Sequence, residues 1–324
     1  MIWLTWRQQR FEFLLACGVL LGASLMLLWT GEQILMSFKL LGIAPCLRGI
    51  GDATACSNAI SEFTSNVASQ QPQLSWLVYL PMLIGALLAA PIALEIEQGT
   101  YRLAWTQSVT RSRWALVRLG VPILVGLGIG SLVAALSSWS MEPVNRVQGA
   151  LRPGSFDVQG VVPVAYLLLT FAVTVTVAVL FRRVLPALAL GVGLVVVLHL
   201  AVMTWLRPKF IGPISSIWLN GPAPFGPRDW VIQGGTGSTS YVFVDPAGNH
   251  INLAQAQALC GQVTDAASKN SWSSCLQARH LGELIQYQPA DRFWAFQAIE
   301  TALIAGIGVA LLAIAVWWLR KRMT

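Results

Sequence analysis

The sequence predicts an all-α polytopic membrane protein: six transmembrane helices, both termini cytoplasmic, and a small α+β extracellular cap between spans five and six. Three observations predict it. Hydrophobic residues make up 55% of the 324 and charged residues only 11%, with a mean hydropathy of +0.63, which is not the balance of a soluble domain. Six segments are apolar over the roughly 20 residues that a helix needs to cross a bilayer: Phe13–Met36, Trp76–Leu94, Val117–Trp139, Val161–Phe181, Leu185–Leu206 and Phe293–Leu319. Lipid tolerates only elements that satisfy their own backbone, which makes these segments helices. Finally, Lys and Arg concentrate in the short connections on one side, which is the inner side by the positive-inside rule.

Residues 1–12 read as an interfacial N-terminal helix, with Trp3 and Trp6 at headgroup depth and Arg7 and Arg10 facing water. The apolar stretch that follows is long and no small-x-small site closes it, so it reads as a retained span and not a cleaved signal. Residues 13–206 hold spans one to five, with an outer loop at 31–75, a cytoplasmic loop at 95–116, an outer loop at 140–160 and an inner turn at 182–183. With the N-terminus inside, the inner pieces carry Arg7, Arg10, Arg102, Arg111, Arg113, Arg118, Arg182, Arg183, Arg320, Lys321 and Arg322, against Glu12, Glu95 and Glu97. This basic face reads as topology and contact with membrane lipids, not as a nucleic-acid surface.

Residues 207–292 form the predicted extracellular cap. GPISSIWLNGPAPFGPRDW is too rich in Pro and Gly for a long helix. TSYVFVDPAGNHINL alternates around a turn and reads as a hairpin. LAQAQALCGQVTDAASK reads as one helix and SSCLQARHLGELIQY as a second. Residues 293–324 are span six and a basic cytoplasmic tail. Cys46 and Cys56 fall in the first outer loop, and Cys260 and Cys275 in the cap. An even number on the oxidising side predicts disulfides. Pairing within each loop is the simplest of the three connectivities that four cysteines allow. The spacings are not those of metal ligands, and no metal site is expected.

Several patterns carry less than they suggest. Gly126-x-Gly128-x-Gly130 and Gly18-x-x-x-Gly22 lie inside spans and read as helix packing. There is no phosphate loop, no H-E-x-x-H and no G-x-S-x-G. Nucleotide chemistry, if it drives this protein, has to come from another chain. Two ionisable groups lie well inside the spans. His199 reads mainly as a packed or hydrogen-bonded residue. Glu300, about two turns into span six, has to face the bundle interior or water to offset its desolvation. Bonding a neighbouring helix and lining a substrate or proton path both remain open for it.

The most elaborate signal is the inner corner, EIEQGTYRLAWTQSVTRSRWALVR, from Glu95 to Arg118. Gly99-Thr100 interrupts the helix and Thr100 suits a cap. A mixed run follows with Arg102 and Trp105, then Arg111 and Arg113 before span three. Lipid anchoring alone suits Trp105 and Trp114 but leaves the Glu95/Glu97 pair unexplained. The corner resembles the cytoplasmic loop of ABC-2-type exporter permeases at Glu95, Glu97, Gly99, Thr100, Ser108, Thr110, Arg111 and Arg113. YQPADRFWAFQ, through Tyr287, Gln288, Pro289, Arg292, Phe293, Trp294 and Gln297, is similar to a bacterial subgroup with a large last outer loop. TWRQQR at the N-terminus fits as well. Ile96 and Tyr101-Arg102 depart from that pattern, where Arg and Leu-Glu are common.

The resemblance implies a plasma-membrane permease without catalysis of its own. Its coupling helix would enter a separate ABC ATPase, present in two copies. A second permease subunit would complete a homodimer or heterodimer. ATP and Mg would bind the ATPase, with no cofactor in this chain. The substrate implied is amphipathic or lipid-like, a peptide or a drug. The alternative is an ATPase-coupled sensor or immunity subunit against membrane-active peptides that moves no solute.

Overall fold

A computed structural model describes residues 2–101, 110–219, 223–234, 241–262 and 266–321. Among the described residues, six helical segments are long and apolar enough to cross a membrane: Leu20–Leu40, Trp76–Gln98, Arg113–Gln148, Val162–Phe181, Val184–Lys209 and Ala290–Lys321. The chain divides into two units, one of residues 1–144, 153–207 and 295–324 and the other of 145–152 and 208–294.

The first unit is helical. Helix α1 runs unbroken over Ile2–Leu40, so the expected interfacial segment is its opening turns. The expected loop 31–75 is mostly helix: the end of α1, then α2 (Ile43–Leu47) and α3 (Ala53–Ser75). The helices use the apolar residues of this loop, and the Gly-rich middle forms the link between α2 and α3. Asp52 caps α3 through bonds from the amides of Thr54 and Ala55 at 2.7 and 3.1 Å. Cys46 and Cys56 are joined across the Gly-rich link, with Cα atoms 5.4 Å apart.

Helices α4 (Leu80–Gln98), α5 (Arg111–Gln148), α6 (Val162–Phe181) and α7 (Val184–Ala201) follow, and α10 (Phe293–Lys321) closes the unit. Helix α6 is apolar all round and lies at the centre, packed against α4 and α7. Its neighbours approach it through glycines. A Cβ at Gly85 of α4 would overlap the Leu167 carbonyl, and one at Gly191 of α7 would overlap the Thr174 hydroxyl. Of the glycines read as packing residues, Gly126 meets Leu167 and Leu88, and Gly130 meets Val164. Gly18, Gly22 and Gly128 have nothing within 4 Å among the described residues.

The second unit is a five-stranded antiparallel sheet with two helices. The strands are β1 (Ile214–Trp218), β2 (Trp230–Gln233), β3 (Val242–Val244), β4 (His250–Asn252) and β5 (Gly282–Gln288). Helices α8 (Leu253–Cys260) and α9 (Ala266–Ala278) lie between β4 and β5. The expected hairpin is present, with Phe243 opposite Ile251. The expected second helix is corrected in its latter half. Helix α9 stops where His280 turns to φ +52° and the Leu281 amide reaches back to the Leu276 carbonyl at 2.9 Å. GELIQYQ then forms β5, the central strand, with β1 along one side and β2 and β3 along the other. Pairing on both sides overrides the helical tendency of Glu, Leu and Gln, a tertiary effect absent from local sequence. Cys260 and Cys275 join α8 to α9 with Cα atoms 5.6 Å apart.

Candidate functional site

Two places in the helical unit gather chemistry. One is the corner at the end of α4. Gly99 ends the helix in the left-handed conformation at φ +69°. Residue Glu95, in the last turn of α4, forms an ion pair with Arg118 of α5, and both side chains are largely shielded. Glu97 accepts a hydrogen bond from the Val184 amide at 2.6 Å. It thereby places a carboxylate at the N-terminus of α7, where the helix dipole favours negative charge. The acidic pair thus braces the corner on two other helices. The Thr100 hydroxyl donates to the Glu95 carbonyl at 3.5 Å. Helix α5 is instead started by Thr110, whose hydroxyl accepts from the Arg113 amide at 3.4 Å. Arg111 lies at the first position of α5, and Thr100 and Arg113 are exposed. Arg102 and Trp105 lie outside the described residues. Trp114, read as a lipid anchor, is buried within the fold at 4% exposure. Trp3, Trp6, Arg7 and Arg10 occupy the opening turns of α1.

The second place is built around a residue that sequence reasoning assigned to the cap. Arg207 belongs to the helical unit and is fully buried. An uninterrupted α-helix would set it about 80° around the axis from His199. The wider π turn at Val202–Leu206 takes up most of that difference, and both side chains point inward. Arg207 holds Glu300 of α10 with two parallel bonds, Nε to Oε2 at 2.8 Å and Nη2 to Oε1 at 2.9 Å. The same Nη2 reaches Asp157 Oδ1 at 2.5 Å. The Phe156 ring lies 4.3 Å beneath the guanidinium. Tyr166 of α6 donates its hydroxyl to Glu300 Oε1 at 3.1 Å. The His199 ring stands edge-on to the Tyr166 ring at 4.9 Å, with Nε2 4.0 Å from Asp157 Oδ1. Burial opposes ionisation of Asp157. The charge and hydrogen bond of Arg207, with a bond from the Gly154 amide, outweigh it and hold the carboxyl below its usual range.

Gln297, one turn before Glu300, completes this network. Its Oε1 accepts from the amides of Val161 and Val162 at 2.9 and 3.0 Å, which satisfies donors at the start of α6. Its Nε2 donates to the carbonyls of Phe156 and Gln159 at 3.3 and 3.1 Å. Gly160 is required here: φ is +68°, and a Cβ would lie 2.6 Å from Gln297 Oε1. The segment carrying Asp157 is therefore tied to α6, to the extension of α7 and to α10 by polar groups, with the Phe156 ring packed beneath the guanidinium.

Glu300 and His199, flagged separately as intramembrane polar residues, come together here, and Glu300 bonds neighbouring elements. Asp157, Tyr166 and Arg207 were missed. The available signal was the rule that a deeply placed carboxylate needs a counter-charge, and Arg207 directly follows the fifth expected span. Asp157, His199 and Glu300 offer ligand atoms within 4.8 Å of one another. The guanidinium already bridges the two carboxylates, so the group reads as an ion cluster and not as a metal centre.

A family model described as ABC-2 membrane transporter related matches residues 17–207, more than half of the chain. The match includes the Glu95–Arg118 corner, Asp157 and His199, and it ends at Arg207. No curated protein and no solved structure matches the chain.

Proposed function

Because the chain belongs to the ABC-2 membrane transporter related family, we propose that it is the permease subunit of an ATP-binding-cassette exporter, coupled to ATP hydrolysis at its inner corner. Membership makes it a multi-pass membrane subunit of a transporter and implies an ABC ATPase partner. In the proposed assembly two ATPase subunits bind ATP and Mg, and two permease subunits form the pathway. The termini and the corner lie in the cytoplasm. Both disulfides lie in segments that this orientation places on the oxidising side.

The observation that carries the reading is the bracing of the corner. Glu95 ties it to α5 and Glu97 ties it to α7. A push on the exposed face at Thr100 and Arg113 would therefore be shared by three helices and not absorbed by a slack loop. Arg111, Arg113 and the Arg102–Trp105 run supply the docking chemistry, and the Trp3–Arg10 turns supply a second contact. The exported substrate is amphipathic or lipid-like, a peptide or a drug.

The test is ATP hydrolysis by the reconstituted complex across a panel of lipids, peptides and drugs. Several-fold stimulation by one class, with its movement across the vesicle membrane, is the expected result. Stimulation by a membrane-active peptide without movement of any solute would select a sensor or immunity role. Hydrolysis indifferent to the presence of this chain would contradict the proposal.

A further inference from the structure

A groove of about 790 Å³ runs along the C-terminal half of α10. Among the described residues its wall is this helix alone. Val309, Leu312, Ala313 and Val316 come first, and Trp317, Arg320 and Lys321 follow. Spacings of three and four place them all on one side of an α-helix. Val309 is 68% exposed and Trp317 47%, and Ala313, Arg320 and Lys321 are exposed as well. The apolar stretch is one leaflet deep. At about 1.5 Å per residue, Val309 lies about 16 Å along the axis from Arg320. Half of a hydrocarbon core of about 30 Å is about 15 Å. Trp317 thus falls near headgroup depth, where an indole keeps its body in lipid and its N–H in a polar layer. Lys321 Nζ stands 5.7 Å from the centre of that ring. No acidic residue follows Glu300 in the sequence, and none of the described residues lining the groove is a carboxylate.

We propose that this face of α10 binds an anionic phospholipid. One acyl chain lies along Val309, Leu312, Ala313 and Val316, and the phosphate meets Arg320 and Lys321 at the groove's charged end. Charge and depth together select this occupant. A soluble anion or an acidic protein reaches the two cations but not Val309, which lies near the middle of the bilayer. A second copy docked here about a two-fold axis along the membrane normal would set the same cations against each other at one depth. A zwitterionic lipid fills the apolar stretch but brings its own cation to the charged end. In the proposed orientation the leaflet concerned is the cytoplasmic one, whose anionic lipids give it a negative surface potential. The inference rests on α10 crossing the membrane and not on the exporter reading.

Photolabelling of the full chain in nanodiscs tests the proposal. Phosphatidylglycerol and phosphatidylcholine probes carry a diazirine on the same acyl chain, and adducts are mapped by peptide mass spectrometry. Each basic residue close to an anionic lipid surface is worth about fivefold in affinity, so two give roughly 30-fold. At equal mole fraction, the phosphatidylglycerol probe is expected to label the stretch from Val309 to Val316 about tenfold or more above the phosphatidylcholine probe. Arg320→Gln/Lys321→Gln keeps the apolar face and is expected to bring the two probes level. Arg182→Gln/Arg183→Gln removes as much charge from the turn between α6 and α7 and is expected to leave the preference intact. Equal labelling of the wild type by the two probes would overturn the proposal. So would loss of the preference in both variants alike, which would assign it to basic charge at large. Failure of either probe to label this stretch, as when another protein covers it, would overturn it too.

Discussion

Arg207→Met is expected to leave little folded protein. The substitution strands two carboxylates, Asp157 and Glu300, at 4% and 0% exposure. Removing one partner of a buried ionic set costs about 3–5 kcal/mol, against a total stability of about 5–15 kcal/mol for a typical domain. The loss reaches beyond the charges, because the turn at Asp157 and the start of α6 are held to α10 by this network and by Gln297. Arg207→Lys keeps the charge but not the fork that binds Glu300 through two nitrogens, and an intermediate loss follows. The informative variant is the triple change Asp157→Asn/Arg207→Met/Glu300→Gln. It leaves no stranded charge and is expected to recover most of the stability that Arg207→Met loses. Size-exclusion profiles and melting midpoints in detergent read all three variants. A well-folded Arg207→Met protein would mean that the cluster does not hold these helices together.

Glu95→Arg is the second change with a large expected effect, and it separates two roles for one residue. The side chains of Glu95 and Arg118 are 17% and 10% exposed, so the substitution opposes two cations in a largely shielded place. Truncating a buried charge pair costs about 2–5 kcal/mol, and like charges add repulsion. The corner is expected to loosen, and capture of the ATPase to fall with it. The reciprocal change Glu95→Arg/Arg118→Glu restores opposite charges and is expected to recover both stability and capture. Recovery of both places the effect of Glu95 in the shape of the corner. Recovery of stability without capture would instead make Glu95 a direct docking contact. Melting curves and co-purification with the ATPase give the two readouts.

The six spans were legible because lipid demands long apolar helices, and hydropathy records that demand directly. Helix ends were less so. Helix α5 continues to Gln148, through Glu142 and Arg146, beyond the Trp139 boundary that hydropathy suggests. The hairpin at Val242–Asn252 and both disulfides were legible from alternation and compartment. Strand β5 was not, because its fate is decided by three strands elsewhere in the chain. Glu300 stood out as a carboxylate in an apolar run. Its partners Arg207 and Tyr166 lie 93 and 134 residues away; the place of Arg207 at the end of the fifth expected span was a signal for it, and Tyr166 had none. The acidic pair at the corner was visible as a pattern, but its bonds to Arg118 and Val184 depend on how α5 and α7 pack.

The central claim is that ATP-driven motion enters this chain at the corner between Glu95 and Arg118. Photo-crosslinking in native membranes tests it most directly, with a benzophenone amino acid at Thr100, exposed at that corner, and a second label at Val242 in the other unit. The account predicts an adduct with an ABC ATPase from Thr100 and none from Val242. Capture of the ATPase from Val242 and not from Thr100 would contradict it.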